Sequence, residues 1–212
     1  MHDCLADIAA LSELDLAASP DAYSEAMRRA YWEDKDLSGS MAIGFAGISR
    51  FLAEAHGAEP GRAYDLRSRA KALTYDLASF TWPGWDEPGI VITPPEMRAG
   101  LSAARANLRM AEELQKGDVP VSRAQWILGA HLLAAGHPAE AGESFRRSAT
   151  TAEAAGEDGQ AGLAAAFAAL AMVAEDTGAV AEFDDALSRL SSIDGGAELA
   201  AQVTTARSAL DL

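Results

Sequence analysis

An all-α fold, an antiparallel helix-hairpin solenoid of about nine or ten helices, is what this sequence predicts, and three observations predict it. Apolar residues recur at three- and four-residue spacing along most of the chain, while β-branched runs are few. Alanine, the strongest helix former and the smallest apolar side chain, occupies many of those positions and favours close helix packing. Gly136-His137-Pro138 is a tight turn between two helical stretches. Hydrophobic content of 49% over 212 residues supports a packed core, so 1–212 is expected as a single helical domain with one Trp/Pro/Gly-rich loop at 81–95.

In chain order, Leu5, Ile8, Ala9 and Leu16 mark a short amphipathic helix from Asp3 to Ala17 that caps the stack. Ser19-Pro20 opens the next, which runs to Glu33 with Tyr23, Met27, Ala30 and Tyr31 on its apolar face. Asp36 or Ser38 starts a third, carrying Met41, Ile43, Phe45, Ile48, Phe51, Leu52 and Ala55 as far as Gly57. Gly44 and Gly47 inside it cost about 1 kcal/mol each relative to Ala, so they are expected to admit a closely packed neighbour. From Pro60 to Thr81 a long helix turns Ala63, Leu66, Ala70, Leu73, Leu77 and Phe80 inward and holds Tyr64, Arg67, Lys71 and Tyr75 on its other face.

Trp82-Pro83-Gly84-Trp85-Asp86-Glu87-Pro88-Gly89 cannot continue that helix. Ile90, Val91 and Ile92 are expected to anchor the loop by burial. Thr93-Pro94-Pro95-Glu96 has the form of a capping box, so a helix restarts there and reaches Lys116, with Asp118 to Pro120 as the link to a helical hairpin.

That hairpin, Ser122–Ser148, reads as two helices folded back on each other. Trp126, Ile127, Leu128, Leu132 and Leu133 surround the first, as suits a helix wedged between neighbours. Gly136 supplies the left-handed cap, and Pro138 takes the first position of the second helix, where a missing N–H costs nothing. There Ala141, Phe145, Ser148 and Ala149 face the first helix, and Glu140, Glu143, Arg146 and Arg147 face outward. Trp126 and Phe145 are expected in the core, where truncation to Ala costs about 3–5 kcal/mol.

Leu128-Gly129, Leu132, Gly136, Ala141, Phe145 and Ser148 stand in the order and spacing of the tetratricopeptide repeat signature, and this segment resembles one such repeat. Trp126 sits one place later than the family's aromatic, and Ser148 stands for its usual Ala. A second copy is visible with Gly178 laid on Gly136: Phe167, Leu170, Ala171 and Ala174 precede the turn and Phe183, Leu187 and Leu190 follow it, so the helices between are longer than the family's. The resemblance implies a groove that binds peptides or proteins, hence a non-catalytic scaffold with a protein or peptide partner.

A rival reading of the residues is a small-ligand or carbohydrate-binding protein, enzyme or not, at the loop. Trp82 and Trp85 would form a stacking wall beside Asp86 and Glu87, with Tyr64, Arg67, Lys71 and Tyr75 to orient the ligand. The bland alternative makes the two Trp rings plugs over the core. His131 and His137 lie six apart on different faces with no third ligand, Cys4 has no base beside it, and no phosphate loop or nucleophile elbow is present. No catalytic residue, metal or cofactor is therefore assigned.

A net charge of −15 repels phosphate backbones and argues against nucleic acid. From residue 151 onward only Arg189 and Arg207 are basic, so an acidic C-terminal end is expected, read as a solvated face. Gly159–Ala174 lacks charge, but it falls short of the roughly 20 apolar residues that span a membrane, so it is read as a buried helix. Acidic residues near the N-terminus, where a secretory signal needs basic ones, point to a cytoplasmic protein, and the sequence leaves a homo-oligomer open.

Overall fold

The computed structural model describes residues 4–16, 19 and 21–212, and every regular element among them is helical. The ten α-helices are α1 (Cys4–Ser12), α2 (Ala22–Trp32), α3 (Leu37–Ala55), α4 (Pro60–Phe80), α5 (Pro94–Glu113), α6 (Asp118–Ala134), α7 (Pro138–Ala154), α8 (Asp158–Glu175), α9 (Val180–Ser191) and α10 (Gly196–Ala209). They form two compact units, Met1–Thr81 with Pro88–Leu114 and Trp82–Glu87 with Gln115–Leu212. The expected loop at 81–95 is thus divided between them, and within each unit consecutive helices pack on one another.

In the first unit the apolar face of α2 buries Tyr23, Ala26, Met27, Ala30 and Tyr31. Asp36 caps α3 by accepting the Gly39 N–H at 2.8 Å. Gly44 and Gly47 are points of closest approach: a Cβ on Gly44 would lie 2.8 Å from Met27 Cε, and one on Gly47 would lie 2.6 Å from Leu73 Cδ1 and 2.8 Å from the Tyr23 ring. Arg50 ties α1 to α3 by donating to the carbonyl of Leu11 in the last turn of α1 and to that of Leu14 just beyond it. These are the orphan acceptors every helix C-terminus leaves behind. Helix α1 therefore ends at Ser12, short of the expected boundary, and Leu5 is 73% exposed while Leu11 and Leu16 are buried. Asp3, Ala17 and Pro20, on which expected helix boundaries fell, lie outside the described residues.

Val91 is 82% exposed and Ile90 and Ile92 are half-buried, so this triplet does not anchor the loop by full burial. The restart of α5 is fixed instead by Glu96, whose Oε2 accepts from the Thr93 N–H at 2.6 Å and from its hydroxyl at 2.7 Å. Helix α5 stops at Glu113 rather than Lys116, before the left-handed Gln115 and Gly117.

In the second unit Asp118 to Pro120 is the first turn of α6 and not a link. Proline costs little there because N–H groups of the first turn have no intrahelical acceptor, and an aspartate at that end suits the helix dipole. Gly136 takes φ +78° and turns the chain into α7. The α6–α7 contact is tight: Gly129 faces the Phe145 ring, where a Cβ would lie 2.8 Å from Cδ1. Ser122 and Ser148 exchange hydroxyl-to-carbonyl bonds of 2.9 and 2.8 Å, and Ser144 donates to the Gln125 carbonyl at 2.7 Å.

A second left-handed glycine, Gly156, ends α7, and α8 buries residues on all sides. Gly178 does not repeat the role of Gly136; it lies in a 3-10 turn, where its N–H donates to Asp176 Oδ1 at 2.8 Å. Helix α10 departs from simple sequential stacking, since it packs on α8 and on the 3-10 turn Pro83–Trp85 as well as on α9.

Candidate functional site

Of the residues singled out in the sequence, Tyr64, Arg67, Lys71 and Tyr75 share the flank of α4. Arg67 is committed to Glu113 of α5 at 2.7 Å, and the Lys71 ammonium lies 5.7 Å from the centre of the Tyr75 ring. The Lys71 carbonyl accepts from Asn107 Nδ2 at 2.8 Å, so this flank is joined to α5 through backbone as well as side chains. Tyr64 is exposed and Tyr75 half-buried.

Trp82 and Trp85 belong to the second unit. The Trp82 ring is 0% exposed, and its indole N–H donates to the Ala130 carbonyl at 3.1 Å. It lies 4.8 Å from Trp85, 5.4 Å from Trp126 and 5.8 Å from Phe167, centre to centre, each edge-to-face. Phe167 stacks on Phe145 at 5.2 Å and closes the cluster. Trp82 thus has no free ring face, and Trp85 is half-buried against it. Trp126 and Phe145 are core residues, as their spacing predicts.

Helix α3 carries an exposed apolar face. At 100° per residue, Ile43, Gly44, Gly47 and Phe51 point into the first unit, and Met41, Phe45, Ile48 and Leu52 form a separate stripe about 100° away. Phe45 is 48% and Leu52 40% exposed, and Met41 and Ile48 are half-buried. Gly44 and Gly47 lie on the core side with Ile43 and Phe51, and the other large side chains lie off it. A helix apolar over more than half its circumference needs two partners, and that width was the signal available in the sequence. The other exposed positions of α3 are Ser38, Ser49 and Ala53, all uncharged.

Helix α5 runs parallel to α3. Gly44 and Gly47 oppose Leu77 and Leu73 of α4, Asn107 bonds the Lys71 carbonyl and Thr74, and Arg67 meets Glu113. On helix α5, Arg98, Arg105 and Arg109 lie opposite Asn107 and so point away from α4. At the shared N-terminal end, Ser38 Oγ donates to Glu96 Oε1 at 3.5 Å. Arg98, Arg105 and Arg109 recur along α5 at i, i+7 and i+11 and are exposed; Arg98 and Arg105 have no ion-pair partner among the described residues, and Arg109 reaches Glu113 at 3.7 Å. Neither 37–53 nor 97–111 contains an Asp or Glu, in a chain with 32 of them.

A cleft of about 310 Å³ between α2 and α4 is lined by Asp21, Ser24, Arg28, Phe51, Arg69 and Leu73. Beside it, burial pushes the Asp76 carboxyl above the ordinary aspartate range, against the opposing pull of the Ser24 hydroxyl at 2.9 Å and the Arg28 and Lys71 charges. Among the described residues no group of three or more His, Cys, Asp or Glu is placed to hold a metal ion, and no helix is long and apolar enough to cross a membrane. His131 is buried in α6.

No family model matches the chain, and no curated protein or solved structure is similar to it.

Proposed function

We propose that this chain is a non-catalytic scaffold of the tetratricopeptide-like solenoid type, cytoplasmic, and that it binds a protein or peptide partner. One observation carries the reading: the Met41/Phe45/Ile48/Leu52 stripe of α3, half out of the core, whose exposed neighbours on the helix, Ser38, Ser49 and Ala53, are uncharged. An exposed apolar stripe rimmed by polar positions marks an interaction surface, because leaving it in water forfeits about 25 cal/mol for each Å² that a partner would cover. Aromatic and long aliphatic side chains are also the residues that dominate binding energy when desolvated. Sequential packing of neighbouring helices and the glycine contacts at Gly44 and Gly47 within the first unit support a firm framework for such a face.

Affinity capture from native cytoplasm tests the proposal, comparing the parent with a Phe45→Ser, Leu52→Ser double variant and with a Tyr64→Ser control. A partner held by the parent and the control but lost from the double variant, with helicity and melting temperature unchanged, is expected. Equal recovery by all three would overturn the α3 assignment.

A further inference from the structure

We propose that the cleft between α2 and α4 binds a free α-amino acid with an apolar side chain, its carboxylate on Arg28, its ammonium on Asp76 and its side chain against Phe51 and Leu73. The site uses none of the residues of the α3 stripe, so it goes beyond the docking-face reading and does not depend on it.

From the N-cap of α2, Asp21, Ser24, Glu25 and Arg28 recur at i, i+3, i+4 and i+7, and Arg69, Ala72, Leu73 and Asp76 repeat that spacing on α4, so each set forms one helix face. The two faces meet in parallel. Asp21 pairs with Arg69 at one end, and at the other Asp76 Oδ2 accepts from the Ser24 hydroxyl at 2.9 Å and lies 3.6 Å from Arg28 Nη2. The cleft of about 310 Å³ is lined by residues of both faces and by Phe51 of α3; Phe51 and Leu73 are its buried apolar part. That volume suits a small ligand, since ligand cavities run from roughly 300 to 1,000 Å³.

Asp76 is the group that asks for a partner. Its side chain is 16% exposed, and it accepts one hydrogen bond among the described residues. A carboxylate has room for several donors, and loss of water without their replacement is what pushes this carboxyl above its ordinary range. Arg28 does not make up the shortfall: its side chain is 58% exposed and its 3.6 Å approach is longer than the roughly 2.8 Å of a charge-assisted hydrogen bond. An ammonium entering the cleft gives Asp76 the donors it lacks, and a carboxylate on the same ligand gives Arg28 a closer partner.

Both charges are required. A bare amine meets Arg28 and Lys71, whose charges both act on Asp76, and a bare carboxylate meets Asp21, Glu25 and Asp76. A ligand that carries ammonium and carboxylate on one carbon answers each sign with its opposite, and its remaining substituent gains by burial against Phe51 and Leu73.

Calorimetric titration of the full chain with L-leucine tests this, alongside leucinamide, which lacks the carboxylate, N-acetyl-leucine, which lacks the ammonium, and glycine, which lacks the side chain. Leucine is expected to bind one site with a Kd of about 1 mM or tighter, and each of the other three about tenfold or more weaker. Arg28→Gln should abolish the preference for leucine over leucinamide, and Asp76→Asn the preference over N-acetyl-leucine. Circular dichroism and melting show that each variant is folded.

Leucine that does not approach saturation at about 10 mM overturns the inference. So does N-acetyl-leucine binding as tightly as leucine, which would make this an anion site, or leucinamide doing so, which would make it a cation site. Glycine as tight as leucine overturns the apolar assignment, and leucine affinity untouched by both substitutions places the binding elsewhere. Capture with the Phe45→Ser, Leu52→Ser variant reads the docking face alone, so failure of one proposal is distinguished from failure of the other.

Discussion

Single glycines in this protein do opposite things according to what a Cβ would meet. At Gly129 an added methyl would sit 2.8 Å from the Phe145 ring, which is itself locked at 5.2 Å from Phe167, so the ring has nowhere to go. Gly129→Ala is expected to destabilise by about 1–3 kcal/mol despite alanine's better helix propensity. At Gly61, in the first turn of α4, nothing lies within 4 Å, and Gly61→Ala should stabilise by up to about 1 kcal/mol. Urea midpoints moving the same way in both variants would contradict this assignment of roles. Such contacts were partly legible: Gly129 and Phe145 stood in a recognisable spacing, but which face of α3 used Gly44 and Gly47 depended on Tyr23 and Leu73, remote in sequence.

Asp76 gives the residue scale its pH dependence. A carboxyl whose proton affinity is higher in the folded than in the unfolded chain favours folding as it protonates. Its stabilising contribution is therefore present in acid and declines as pH rises from the ordinary aspartate range through the raised native value, staying level above it. Asp76→Asn keeps an acceptor for the Ser24 hydroxyl and abolishes the titration, so the variant's stability relative to the parent should increase with pH across that interval. Urea titrations at a series of pH values check the sign, and a parallel pair of curves would contradict it.

Among the elements, α2, α4 and the α6–α7 pair were the most legible, since each has one dominant apolar stripe or a glycine-proline boundary that local chemistry sets by itself. Helix α3 was not, because it carries two apolar stripes and periodicity alone does not say which one the core takes. Nor was the division of the Trp/Pro/Gly-rich segment, where Trp82 packs on Trp126 and Phe167, far along the chain. The short α1 depends on a tertiary contact, the Arg50 guanidinium on the carbonyls of Leu11 and Leu14. Arg50→Ala should release it: amide exchange in residues 4–16 should accelerate, while α3 and α4 keep their protection. Unchanged exchange in α1 would show that burial of Leu11 suffices to hold it.

For the whole molecule, composition made the helical class and the acidic character plain, but a net charge of −15 conceals where charge is missing. The carboxylate-free spans 37–53 and 97–111 lie on helices that both pack on α4, which no local pattern in either span encodes. The proposed docking face is the Met41/Phe45/Ile48/Leu52 stripe of α3 and not the Trp82–Trp85 turn. Hydrogen–deuterium exchange on the full chain, with and without the captured partner, tests it most directly. Protection gained on α3, with the 82–87 segment unchanged, is the predicted result; protection confined to 82–87 and its aromatic neighbours would contradict it.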